Sequence, residues 1–189
     1  MGVFAATVFI RNEKQLSKEQ VLSEVSQYMK SQGFVQCDKN QAEKTYSFGF
    51  PEGKWFGMGS REEELVRNAK FCTQVFHSHV LTANVVDSDF VLLELYNSNG
   101  ISIDKQCIGT PYWDEGESEK EIDVTTWIPF LKQGVTEENL IAALQTNEVF
   151  AEDGFGIFGE LIELDIKPLY MGWGELAPRE EINLYFKKK

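Results

Sequence analysis

The chain has 189 residues, 42% of them hydrophobic and 25% charged, and its 30 acidic against 18 basic residues leave a net charge of −12. This balance excludes disordered and fibrous classes, and the negative charge works against attraction to phosphate backbones or anionic lipid, so neither nucleic acid nor a membrane is an expected partner. A chain of this size buries roughly 70% of the surface of its extended form without help from a metal or disulfide, and with no repeat or linker to divide it, one soluble domain over residues 1–189 is expected.

Residues 3–11 are apolar or small on both alternating faces, the pattern of a strand covered on both sides. The apolar run ends at Arg11-Asn12-Glu13-Lys14, too early for a membrane span, and no basic leader precedes it, so a signal peptide is not expected. Ser17 and Gln20 have capping-box spacing, and Leu16 and Val21 can staple the entry. Val21, Leu22, Val25, Tyr28 and Met29 then share a helical face up to Gly33, which predicts a helix at about 17–32. A short strand follows at Phe34–Cys37. Tyr46, Phe48 and Phe50 alternate in another, and Pro51-Glu52-Gly53-Lys54 turns the chain into Trp55–Met58 as a hairpin. Ser60 and Glu63 have the spacing of a second capping box, with Leu65, Ala69, Cys72 and Phe76 at helical intervals over 61–76.

Strands are expected at 80–86, 90–97 and 101–108, joined by Asp87-Ser88-Asp89 and by a turn ending in Asn99-Gly100, whose residues tolerate positive φ. The order to this point predicts an α+β fold, a mostly antiparallel sheet with helices packed mainly on one face. Residues 109–123 read as an exposed loop, because six carboxylates and a single lysine lie between Asp114 and Asp123. A short helix over Trp127–Lys132 stops at Gly134, and the next begins at Thr136, with Val135 and Leu140 placed to staple it and Glu137 and Glu138 favoured by the helix dipole. Ala151, Phe155, Phe158, Leu161 and Ile162 fit one helical face, although Gly154, Gly156 and Gly159 each cost a helix about 1 kcal/mol relative to alanine. Alternation of Ile182, Leu184 and Phe186 predicts a terminal strand, and Lys187-Lys188-Lys189 reads as a solvated end without a role.

Asp87 and Asp89 could converge on a hard cation, yet the triplet between two apolar runs fits a turn better. His77 and His79 at i, i+2 would face one side of a strand as metal ligands do, but two ligands do not complete a site, and His77 sits where it can interact with a helix C-terminus. Cys72 lies on the apolar helix face and reads as a buried, inert thiol rather than a nucleophile served by His77. Cys37, Cys72 and Cys107 cannot all pair and form no Cys-x-x-Cys, which predicts reduced thiols and a cytoplasmic setting. The chain has no Gly-x-Ser-x-Gly elbow or Walker-type loop, and the glycines near Gly154-Phe155-Gly156 and Gly172-Trp173-Gly174 lack a strand-to-helix phosphate context. No catalytic, cofactor-binding or metal-binding residue is assigned, and no cofactor is expected.

The stretch from Val85 through Asp87-Ser88-Asp89 to Leu95-Tyr96, continued by Asn99-Gly100 and Ile103-Asp104, resembles the central hairpin of a set of uncharacterised bacterial proteins. The likeness covers about twenty residues. It implies a bacterial cytosolic setting and a structural role for the aspartates, and carries no activity with it.

The leading expectation for function is a non-enzymatic acidic binding protein, an inhibitor or immunity-type partner of a basic protein. Its candidate surface is the loop residues Tyr112, Trp113, Asp114, Glu115, Glu117 and Glu119, where two aromatics adjoin the dense negative run. The alternative is a metal-assisted hydrolase or small-ligand-binding protein using Asp87/Asp89 or His77/His79, which requires those side chains to meet other polar groups in a pocket.

Overall fold

The fold was read from a computed structural model, which describes residues 4–51, 53–110, 122–146, 148–170 and 180–189. Eight strands form one sheet: β1 (Ala5–Arg11), β2 (Phe34–Gln36), β3 (Lys44–Gly49), β4 (Trp55–Ser60), β5 (Val80–Val86), β6 (Phe90–Tyr96), β7 (Ser102–Gly109) and β8 (Glu181–Lys188). Their spatial order is β2-β8-β3-β4-β1-β5-β6-β7, and each neighbouring pair is antiparallel. The terminal strand slots between β2 and β3, so Lys187 and Lys188 pair with Val35 and Phe34 instead of trailing into solvent. The α+β class with an antiparallel sheet is as the sequence predicts.

β1 shows why both faces must be covered. Val8 and Ile10 point to one side and Phe9 to the other, all three with no exposed surface. On the first side lie α1 (Lys18–Ser31) and α2 (Leu65–Phe76), which bury Val21, Val25 and Met29 and, from α2, Leu65, Ala69, Cys72, Val75 and Phe76. On the second lie α3 (Glu137–Leu144) and α4 (Ala151–Leu161), with 3₁₀ turns at Thr125–Phe130 and Lys167–Tyr170. Phe9 meets Phe155 of α4 edge to face at 5.8 Å. The helices at 17–32 and 61–76 thus share one face as expected, and the later helices build a second layer opposite them. Each large apolar side chain so buried contributes about 1.5–3 kcal/mol.

Local chemistry accounts for the starts of α1 and α3. Ser17 and Gln20 form the reciprocal capping box at the start of α1, and Gly33 takes φ +82° just past its end. Thr136 caps α3 in the same reciprocal way with Asn139. The second expected box does not form. Ser60 is the last residue of β4, opposite Ala6, and Glu62–Glu64 make a 3₁₀ turn before α2 starts at Leu65. Strand pairing holds Ser60 out of reach of the helix amides, and its hydroxyl instead accepts from Asn68 Nδ2 at 2.9 Å. No helix among the described residues is long and apolar enough to cross a membrane.

Candidate functional site

Asp87 and Ser88 both adopt left-handed backbone, φ +50° and +61°, and the Asp89 amide donates to Val86 O at 3.0 Å. Two consecutive positive φ values match the twist that a tight hairpin needs. Asp87 and Asp89 are exposed, whereas Ser88 is buried, and its hydroxyl donates to Glu152 Oε1 at 2.8 Å. Ser88 O also accepts from the Ala151 amide at 2.9 Å, so the turn docks the start of α4 onto the sheet. Glu152 Oε2 is buried with no hydrogen-bond partner among the described residues. The triplet works through its serine, which the sequence reading passed over in favour of the aspartates.

The histidines serve different neighbours. His77 is the exposed left-handed cap of α2, φ +51°, its amide donating to Thr73 O at 2.9 Å. His79 is half-buried, its Nδ1 lying 2.7 Å from Glu13 Oε1 and its ring edge-on to Phe130 at 5.0 Å. Beside it the Arg11 guanidinium lies over both Trp55 and Phe130, 5.3 and 5.1 Å from their centroids, and burial lowers its pKa against the opposing pull of Glu13 and Glu163. Among the described residues no three His, Cys, Asp or Glu side chains are grouped to hold a metal ion. Cys72 faces the core, 3.9 Å from Met58 Sδ, and burial raises its pKa far above the usual thiol range; it does not meet exposed His77 as a nucleophile would meet its base. No disulfide joins Cys37, Cys72 and Cys107.

Two surfaces that local motifs do not reveal are built by the fold. The first is a groove of about 350 Å³ between the C-terminal end of α1, the exposed side of α2 and strands β2 and β3. Its floor is aromatic: Tyr46 and Phe71 stack at 4.7 Å with 3° between their planes, and Tyr28 stands edge-on to Phe71 at 5.4 Å. Tyr28 donates its hydroxyl proton to Gln74 Oε1 at 2.7 Å, which fixes that ring. Lys44, Arg67 and Lys70 supply the cations of the lining, with the Lys44 ammonium 4.7 Å above the Phe34 ring and Arg67 paired to Glu64 one turn away. These residues come from four separated elements, so no spacing in the sequence marks them as a unit.

The second surface is the outer side of α4. Phe150, Asp153, Ile157 and Glu160 are all exposed, at intervals of three, four and three, so apolar and acidic side chains alternate along one helical stripe. Val149, 87% exposed, extends its apolar end. The spacing is legible in the sequence, but attention to the inward face of this helix, Phe155 and Phe158, hides it. The acidic-loop residues Tyr112, Trp113, Asp114, Glu115, Glu117 and Glu119 lie outside the described residues. Comparison with protein-family models, with curated proteins and with solved structures finds no match to this chain.

Proposed function

We propose that the protein is a non-enzymatic binding protein that engages a basic protein partner through an acidic surface. The exposed stripe Phe150-Asp153-Ile157-Glu160 is the observation that carries this reading. Interfaces combine apolar anchors that exclude water with charges that steer the encounter, and this stripe offers both within three turns of one helix. Phe150 and Ile157 are 51% and 41% exposed and, with Val149 at 87%, offer apolar surface that a partner can cover. The net charge of −12 adds a long-range field that attracts a cationic partner and repels an anionic one. The acidic loop at 112–119 remains a second candidate contact for the same partner.

The test is kinetic. Basic proteins captured from the native host at low salt are assayed singly for association with the purified chain. With Asp153→Asn and Glu160→Gln combined, association with the true partner slows and its salt dependence flattens; with Phe150→Ser and Ile157→Ser, dissociation accelerates. Neutralising Asp114, Glu115, Glu117 and Glu119 in a parallel variant separates the loop from the helix. A partner whose kinetics respond to none of these changes, or that proves acidic, overturns the reading.

A further inference from the structure

On the opposite side of the sheet from α4, the groove over α2 inverts the electrostatics of the rest of the chain. Its eleven lining residues include three cations and no carboxylate, in a protein with 30 acidic and 18 basic residues. Three like charges around one concavity repel one another, and of the three only Arg67 is ion-paired among the described residues, to Glu64. An anion in the groove offsets that repulsion. Between the cations the floor is the Tyr46–Phe71 stack with Tyr28 at its edge, each ring half-buried and so still presenting surface to the cavity. Flat aromatic surfaces take up a further ring by offset stacking or edge contact. Burial holds the Tyr46 hydroxyl above its ordinary pKa, so it stays neutral at physiological pH and adds no negative charge to the floor.

We infer that this groove binds a small ligand consisting of a planar ring that bears an anionic group, with the ring on Tyr28, Tyr46 and Phe71 and the anion held by Lys44, Arg67 and Lys70. The volume, about 350 Å³, lies at the lower end of the range of about 300–1,000 Å³ typical of ligand pockets, which suits one ring system and not a dinucleotide. Arginine and lysine both donate charge-assisted hydrogen bonds to carboxylate and to phosphate, so the shared chemistry is the ring-borne oxyanion. This site is independent of the partner surface on α4, and the failure of either leaves the other standing.

The experiment is a set of titrations of ¹⁵N-labelled full chain, followed by amide shifts, with benzoate, phenyl phosphate, inorganic phosphate and benzyl alcohol. Benzoate or phenyl phosphate should give saturable shifts centred on Tyr28, Tyr46 and Phe71, and the tighter of the two identifies the anion. Inorganic phosphate lacks the ring and benzyl alcohol lacks the charge, so each should bind at least about tenfold more weakly. Lys44 and Arg67 are exposed, and Lys44→Gln with Arg67→Gln should remove the response without altering the fold. Lys70→Gln alone is the second variant, should the pair disturb packing, and it should weaken the same response. Absence of saturable shifts in the groove with both ring-bearing anions overturns the inference. So does equal binding of inorganic and phenyl phosphate, a response untouched by all the substitutions, or saturation by an acidic peptide alone.

Discussion

The three glycines of α4 turn a sequence puzzle into a quantitative test, because alanine at each position has the same intrinsic preference and different surroundings. Alanine favours a helix interior over glycine by about 0.8–1 kcal/mol. At Gly156 the added methyl would meet only Ile166 Cδ1, at 3.6 Å, an ordinary contact. Gly156→Ala should therefore stabilise the protein by about 0.5–1 kcal/mol, or about 1–4 °C in Tm for a chain of this length. At Gly159 the methyl would lie 2.7 Å from Leu164 O. That carbonyl cannot retreat freely, because Gly159 O accepts from the Ile162 and Leu164 amides at 3.1 and 2.8 Å and ties the same turn to the helix end. Overpacking costs about 1–3 kcal/mol, which outweighs the helix term, so Gly159→Ala should lose about 1–2 kcal/mol. Gly154→Ala would press its methyl to 2.6 Å from Thr146 Cγ2 and 2.8 Å from Ile108 Cγ2, both on stiff β-branched side chains, and should lose about 1 kcal/mol. Urea unfolding of the three variants measures the order directly. Equal stabilisation by all three would mean that propensity alone governs this helix and that the close approach of α4 to its neighbours is wrong.

Removing the Ser88 hydroxyl leaves the buried Glu152 carboxylate without its described hydrogen bond, so Ser88→Ala should lose about 1–3 kcal/mol, while Asp87→Asn in the same turn, exposed and equally tolerant of positive φ, should stay within about 0.5 kcal/mol. Equal urea midpoints for the two variants would refute the docking role of Ser88. Burial keeps Cys72 protonated in the folded chain above its ordinary value of 9.0, so the stability it contributes is complete below that pH and is lost as the unfolded-chain thiol ionises above it. The fall in stability above about pH 9 should accordingly be shallower in Cys72→Ala than in the parent, and an identical slope in the two would contradict the buried-thiol assignment.

Much of the architecture was legible because several local signals agreed at the same places. Ser17, Gln20 and Gly33 bracket α1 chemically, and the apolar positions between them share its inward face. Ser60 shows where such signals mislead. Its spacing from Glu63 matches a capping box, but strand pairing with Ala6 is a long-range contact that outranks the local motif. The division of the helices between two faces was equally hidden, since it depends on which side of the sheet each connection crosses. Tertiary placement also explains the glycines of α4, whose helical cost is the condition for close packing on Ile108, Thr146 and Leu164. The candidate sites divide in the same way: the α4 stripe is periodic in sequence, whereas Lys44, Tyr46, Arg67 and Phe71 become neighbours only once β3 and α2 have packed.

The sheet gives these two surfaces a physical reason to coexist. Tyr28, Tyr46 and Phe71 pack against the cluster that includes Val8 and Ile10, and α4 buries Phe155 and Phe158 in the cluster that includes Phe9. The acidic stripe and the cationic groove are therefore on opposite faces of the sheet and over different strands, α4 against β6 and β7 and the groove against β2 and β3. Packed layers stand about 10 Å apart, and charges exposed to solvent are screened over about 8 Å at physiological ionic strength. Across such a separation the carboxylates of Asp153 and Glu160 barely reduce the local potential at Lys44 and Arg67. A chain with a net charge of −12 can thus hold a cationic concavity without neutralising it, and the proposed cationic partner and the inferred anion would approach it from different sides.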